Sequence, residues 1–182
     1  LKVTKTLGDA DGDGRYSQLY AYGARSFSIR RSNGDLVFDS GSDLERRSLE
    51  LFPEHFNSDN EELHSVKNRS DDKGPEPEGV ALGQIDGRWF AFVGLERCSA
   101  IFVYDVTSPS QPVFQSAIHL RDGGNRSRLG NVADLGPEGL VFISAQDAPT
   151  GRPLLVVANE VSGTTRIYEL GWALPTPIAA SK

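Results

Sequence analysis

The sequence predicts an all-β chain: a β-propeller of about three four-stranded blades, part of a larger ring that these blades leave incomplete. Three observations predict it. The segment "GRWFAFVGLERCSAIFVYDV" from Gly87 recurs 64 residues later, from Gly151, as "GRPLLVVANEVSGTTRIYEL". Runs such as "FAFVGL", "AIFVYDV", "LLVVAN" and "TTRIYEL" are rich in β-branched and aromatic residues and too short for ordinary helices. Turn chemistry separates them. Four short strands repeated over about 60 to 70 residues is the pattern of propeller blades with long connections. A β-sandwich would share the short alternating strands but not the repeated register.

That register is specific. In both copies a glutamate, Glu96 or Glu160, stands nine residues after the glycine of Gly-Arg. Eight residues further comes a tyrosine, Tyr104 or Tyr168, followed by Asp105 or Glu169. Pro-Glu-Gly precedes each copy, with Glu78 nine residues and Glu138 thirteen residues ahead of the Gly-Arg. The turn "QDAPTGRP" absorbs the difference, where added length costs little.

Taken in order, the first unit covers roughly 1–56 and is a degenerate copy beginning at Gly14-Arg15, with Gly23 at the glutamate position. Its Asn33-Gly34 predicts a hairpin whose two turn residues take positive φ. In "SDLERRSLELFPEHF", Ser42 to Phe56, a capping Ser or Asp precedes Leu44, Leu49 and Leu51, which predicts one short helix near 43–51. Residues 57–75 form an insertion, 76–120 the second unit, 119–134 a further insertion and 136–172 the third unit. Residues 1–172 thus make a partial propeller, and 173–182 a C-terminal linker. Known propellers have ~4–8 blades, and open sheet edges invite pairing. The expected partners are the remaining blades of a longer parent chain, or other copies joined by self-association through blade edges.

Bulk properties exclude several classes. A chain of 182 residues with 38% hydrophobic and 24% charged residues suits one globular domain. The net charge of −6 argues against a nucleic-acid partner, which needs clustered Lys and Arg. No apolar run approaches the ~20 residues that span a bilayer. The chain starts at Leu1 and contains no Met, and so reads as a piece of a longer protein. Cys98 stands alone and forms no internal disulfide. Asn68 and Asn125 begin Asn-Arg-Ser sequons, glycan acceptors in a eukaryotic secretory pathway and polar loops otherwise. His55, His64 and His119 share no metal-ligand spacing, and there is no Gly-X-Ser-X-Gly elbow, P-loop or paired-cysteine zinc motif. The serines of "VSGTT" have no base beside them, so a serine hydrolase is not expected.

The chemistry lies in the acids. In a propeller the first strand of each blade lines the central channel, which puts Glu78 and Glu138 at equivalent places near its mouth. Glu96 and Glu160, closing the second strands, fall near the same rim. Four converging carboxylates repel one another unless a hard cation neutralises them, and oxygen ligands suit Ca2+ or Mg2+ rather than zinc. Such ions could hold a phosphoryl group and activate water, which makes these four glutamates the catalytic candidates. The alternative is that each glutamate caps local backbone N–H groups and shapes a blade turn. Glu76, without a counterpart in "LGPEG", reads as local. In "GDADGDGRY", Asp9, Asp11 and Asp13 are spaced to converge on one cation with Gly14 making the turn, as an EF-hand loop begins. Tyr20 stands where that loop carries its bidentate glutamate, and a plain acidic turn is the competing reading. Asp71, Asp72 and Lys73 belong to the channel mouth or to a solvated loop. Arg97 and Arg25 offer forked donors for phosphate, or surface ion pairs.

The runs "NRSDDKGPEPEGVALGQIDGRWFAFVGLERCSAIFVYDVTSPSQPVF" and "DLGPEGLVFISAQDAPTGRPLLVVANEVSGTTRIYEL" closely resemble the choice-of-anchor I family, from about Asp9 to Leu170. That family includes secreted bacterial proteins labelled alkaline-phosphatase-like and the mesenchyme-specific cell-surface glycoproteins linked to biomineralisation. The resemblance implies a propeller, a secreted or cell-surface location, and a chain that is the C-terminal part of a longer one. The family often carries further acids just after the Asp run; here Ser17 and Gln18 stand there. A looser resemblance is to esterase-like and propeller phytases, whose acids line a calcium-filled channel that grips phosphate. Two functions are therefore expected of the acidic channel: a calcium-binding exported module for binding or scaffolding, or a divalent-metal-dependent phosphoesterase.

Overall fold

A computed structural model describes residues 1–23, 25–60, 65–121 and 134–171. The strands are β1 (Ser28–Arg30), β2 (Leu36–Asp39), β3 (Pro77–Ile85), β4 (Arg88–Leu95), β5 (Ala100–Asp105), β6 (Val113–His119), β7 (Pro137–Ile143), β8 (Leu154–Asn159) and β9 (Thr164–Glu169). One helix, α1 (Asp43–Leu51), and a 3-10 turn at Pro53–His55 follow β2. The strands form three antiparallel meanders, β1-β2, β3-β4-β5-β6 and β7-β8-β9. The fold is all-β and blade-like, and the sheets do not close on themselves. Only the middle unit shows four strands among the described residues, where three four-stranded units were expected. His64, the Asn125 sequon, most of the 119–134 insertion and the 173–182 linker lie outside the described residues.

The central strands of the middle sheet, β4 and β5, are packed on both faces, which explains the unbroken apolar run of β4. On one face Val93, Leu95, Ala100, Phe102 and Tyr104 pack with Leu44 of α1 and with Phe27 and Phe52. On the other, Ala81, Phe90, Phe92 and Ile101 pack with Leu140, Phe142, Leu155 and Val157 of the third sheet. Alternate residues of a strand point to opposite faces, so both sets are apolar and no polar face remains. A two-sheet sandwich buries one face of each sheet; here β4 and β5 of the middle sheet bury both of theirs.

The inner strands β3 and β7 meet most closely. A Cβ on Gly79 would lie 2.4 Å from the Glu138 carbonyl oxygen, and one on Gly83 would lie 2.3 Å from the Phe142 ring. Glycine is required at both points because any side chain would separate the sheets. Asp86 and Gly87, both at positive φ (49° and 79°), make the two-residue turn between Ile85 and Arg88. The β1–β2 hairpin is wider than the expected two-residue turn. Gly34 donates to the Arg31 carbonyl at 2.9 Å and takes positive φ, whereas Asn33 does not. The turn chemistry is right but its span is five residues, 31–35, and beside it Val37 of β2 is the extra residue at a register shift between Ile29 and Arg30.

The helix falls where the leucine spacing places it. Ser42 makes no side-chain cap, however; the first turn is held through Asp43, which accepts from Arg47 Nε (2.7 Å), Arg46 and the Tyr104 hydroxyl (2.8 Å). Pro53 ends the helix because it lacks the N–H the next turn would need.

Candidate functional site

Both Pro-Glu-Gly motifs open their strands with a bulge. Pro77 pairs with Leu95 and Val80 with Val93, and Pro137 pairs with Asn159 and Gly139 with Ala158. The extra residues include Glu78 in one unit and Glu138 in the other. A bulge leaves residues out of the ladder and re-aims their side chains, and such irregularities gather at sites. Because β3 and β7 are adjacent, the two bulges lie side by side.

Glu76 is the residue that sequence reasoning set aside as local. Gly136 holds its place in the third unit: the Glu96 N–H donates to the Glu76 carbonyl at 3.0 Å, and the Glu160 N–H to the Gly136 carbonyl at 2.8 Å. Both are left-handed, at φ 51° and 71°. Glycine adopts that conformation freely, whereas a glutamate is strained in it. Its own side chain holds it there, by accepting from Arg97 Nε at 2.5 Å and by an ion pair with Lys73. The glycine-to-glutamate exchange between units, seen by aligning them on Pro-Glu-Gly, is the signal that would have found it.

Glu96 is 4% and Glu76 7% exposed, so both carboxyls are buried. Burial pushes Glu96 up, and its shared hydrogen bond with Glu76 and that group's charge push it further, to about 8. Burial would raise Glu76 too, but bonds from Glu96, Lys73 and Arg97 outweigh it and hold Glu76 below the ordinary carboxylate range. Asn60 donates to Glu96 and accepts from Arg97 Nη1 at 2.6 Å. Arg121 anchors this corner by donating to the carbonyls of Asp59 (2.5 Å) and Arg97 (2.6 Å). Exposed Glu138 is raised first by the charge of Glu160 and also by that of Glu78. The acids of the two units therefore sense one another. One oxygen each of Glu76, Glu78 and Glu96 lies within 4.8 Å of the others. Five carboxylates gather here, and among the described residues Lys73 and Arg97 are the cations that pair with them.

This arrangement suits a hard divalent cation. Its donors are carboxylate oxygens, five acids face two cations, and one acid, Glu96, is held protonated by burial and by the neighbouring Glu76. No hydroxyl or thiol nucleophile joins a base within it among the described residues. Arg97, the phosphate candidate, has Nε and Nη1 engaged by Glu76 and Asn60 inside the cluster.

The other candidates lie elsewhere. Asp9, Asp11 and Asp13 also bring one oxygen each within 4.8 Å of one another. Asp9 accepts from the N–H groups of Gly12 (2.9 Å) and Gly14 (3.0 Å), and Asp13 from that of Arg15 (2.8 Å), so the carboxylates shape their own loop. Arg25 is tied to Glu45 at 2.7 Å and to the carbonyls of Ser70 and Asp72. Asp72 pairs with Lys2 and Arg69, while Lys73 reaches the acid cluster. His55 and His119, far apart in sequence, have ring centroids 4.9 Å apart, with Phe52 stacked on His119. Cys98 is fully buried, which pushes its thiol up to about 12 and leaves it inert. No helix among the described residues is long and apolar enough to cross a membrane.

Two curated relatives resemble the chain. Gigasin-3a of Magallana gigas is 32% identical over 184 residues, which cover 93% of this chain and 65% of that protein. The mesenchyme-specific cell surface glycoprotein of Strongylocentrotus purpuratus is 30% identical over 115 residues, 56% of this chain and 15% of that protein. The chain thus spans less than two thirds of the length of either. No solved structure matches it. The model of the choice-of-anchor I domain matches residues 1–109 of the 182, and the chain belongs to that family.

Proposed function

We propose that this chain is a calcium-binding propeller segment of an extracellular or cell-surface protein, and that it acts as a binding or scaffold module rather than as a catalyst. The supporting observation is the acid cluster: two successive units present Glu76, Glu78, Glu96, Glu138 and Glu160 at one rim, against Lys73 and Arg97. Glu76, Glu78 and Glu96 would hold the ion, and Glu138 would extend the site to the next unit. The bound cation would supply the counter-charge that the rim lacks. Membership of the family and the cell-surface relative support an exported location. The Asp9, Asp11 and Asp13 loop is a second, weaker cation site of structural character. Phosphoesterase activity is the lesser reading, because Arg97 is already engaged inside the cluster.

Thermal melts of chelated protein, with and without added calcium, test this. Calcium raises Tm, Glu78→Gln removes most of the rise, and aryl phosphate is not turned over. A Tm indifferent to calcium would overturn the cation site. Turnover that is lost in a still-folded Glu78→Gln would overturn the non-catalytic reading.

A further inference from the structure

The middle sheet has one bare patch. On the face turned toward α1, Val80 and Leu82 of β3 are 62% and 60% exposed. With Trp89 and Ala91 they floor a groove of about 560 Å3, and β1 is the strand along its wall. Among the described residues β1 is hydrogen-bonded only to β2, so its other edge carries backbone groups that could accept a further strand.

The molecule itself shows how such a floor is covered. Counted from Pro-Glu-Gly, Val80 and Leu82 hold in β3 the places that Leu140 and Phe142 hold in β7. Leu140 and Phe142 press into the inner strand of the preceding unit, at Gly79 and Gly83. Among the described residues no inner strand stands opposite Val80 and Leu82 in the same way.

The chain also carries a bare hairpin. Residues 1–7 and 15–22 run antiparallel: Val3 bridges Ala21, the Thr4 N–H donates to Tyr20 O at 2.9 Å, and the Ser17 N–H donates to Gly8 O at 2.9 Å. Leu7, Leu19, Tyr20 and Tyr22 on it are all exposed, Leu19 by 71%. Gly14-Arg15 is its counterpart of the Gly87-Arg88 that opens β4, and β1 follows it as β5 follows β4. In register, the hairpin is the missing inner pair of strands of the first unit.

We propose that residues 1–22 form a strap that closes on this groove. Residues 15–22 add to the free edge of β1, and residues 1–7 lie inside them over Val80 and Leu82. Closure gives the first unit four strands and removes two apolar surfaces from water together, while pairing backbone groups of both. Arg25, between strap and β1, is already tied to Glu45 and to the carbonyls of Ser70 and Asp72, and fixes the pivot.

Disulfide trapping tests the strap in the full chain, where buried Cys98 does not compete. Successive side chains of a strand alternate in direction, so either Thr4 or Lys5 faces the floor when the strap is closed. Thr4→Cys and Lys5→Cys are each combined with Leu82→Cys. Lys2→Cys with Asp71→Cys serves as the trap for the open position, where the Lys2 N–H meets the Asp71 carbonyl. The expected result is that one Leu82 pair forms an intramolecular disulfide in most of the protein, with unchanged far-UV circular dichroism. The same oxidised protein gains hydrogen-exchange protection across 15–22. If neither Leu82 pair cross-links while the Lys2–Asp71 pair does, the strap stays open and the proposal falls. Disulfide-linked dimers through Leu82→Cys would show that a second copy takes the groove, and would equally overturn it.

Discussion

Gly83 and Glu96 each carry a consequence that a single substitution reads out. The ring of Phe142 fills the space a side chain at Gly83 would need. Gly83→Val should destabilise the protein by ~1–3 kcal/mol, the range for overpacking a well-filled contact. The loss appears as a lower urea midpoint at unchanged m, and Phe142→Ala in the same chain recovers part of it. A neutral Gly83→Val would mean that β3 and β7 do not touch there. Glu96 gives a signed pH effect. An acid held at about 8 against its ordinary 4.5 binds its proton more tightly folded than unfolded. Its contribution to stability is therefore full below pH 4.5 and is lost as pH rises toward 8. In chelator, Glu96→Gln should flatten the fall in Tm across that window, since glutamine mimics the protonated acid and can still accept from Asn60. Parallel Tm curves for wild type and variant would reject the buried, protonated Glu96. Calcium should bind more tightly as pH rises through the same window, because the ion displaces that proton.

At the level of elements, the strands legible in the sequence are those whose two faces are settled by packing. β4 and β5 are apolar on both faces because a sheet or helix covers each, and the runs say so directly; β8 turns Leu155 and Val157 onto the middle sheet. β1 and β2 were legible only through Asn33-Gly34, and the span of their turn was not, because Gly34 closes it without a left-handed Asn33. The repeated glutamates pointed to neighbouring acids, since the Pro-Glu-Gly register survives between units and Glu78 and Glu138 sense one another. Glu76 was invisible as a site residue because its role depends on a left-handed backbone and on Arg97 and Lys73 meeting it in space. Asn60 and Arg121 carry no motif at all. The helix was legible from Leu44, Leu49 and Leu51, but not which leucine matters. Leu44 is fully buried against the middle sheet, while Leu49 is 49% exposed. Leu44→Ala should cost ~2–5 kcal/mol and Leu49→Ala well under half of that, by chemical denaturation. Equal losses would mean that α1 does not dock through Leu44.

For the whole molecule, the middle sheet belongs to both apolar clusters, so each cluster rests on β4 and β5 from opposite sides. Repeat architectures are stabilised chiefly by contacts between neighbouring units, and a central unit with two neighbours gains most. Among the described residues no strand pairs with the outer edge of β9, whose pattern alternates half-exposed, with Ile167 60% exposed. β1 and β2 form a two-stranded ribbon, which is marginal without further packing. Native-state hydrogen exchange should therefore rank the chain from the inside out. Amides of β4 and β5 exchange only through global unfolding and show the full dependence on urea. Amides of β9 exchange through smaller openings, with little dependence on urea and protection lower by at least tenfold, as do those of β1–β2 wherever the strap of residues 1–22 is open. Leu155→Ala, which removes a fully buried side chain between the middle and third sheets, should lower the protection of β8 and β4 together while leaving the rank order intact. If β9 proved as protected as β5, the third sheet would need a partner along its edge, and the free edge of β9 would not describe the molecule in solution.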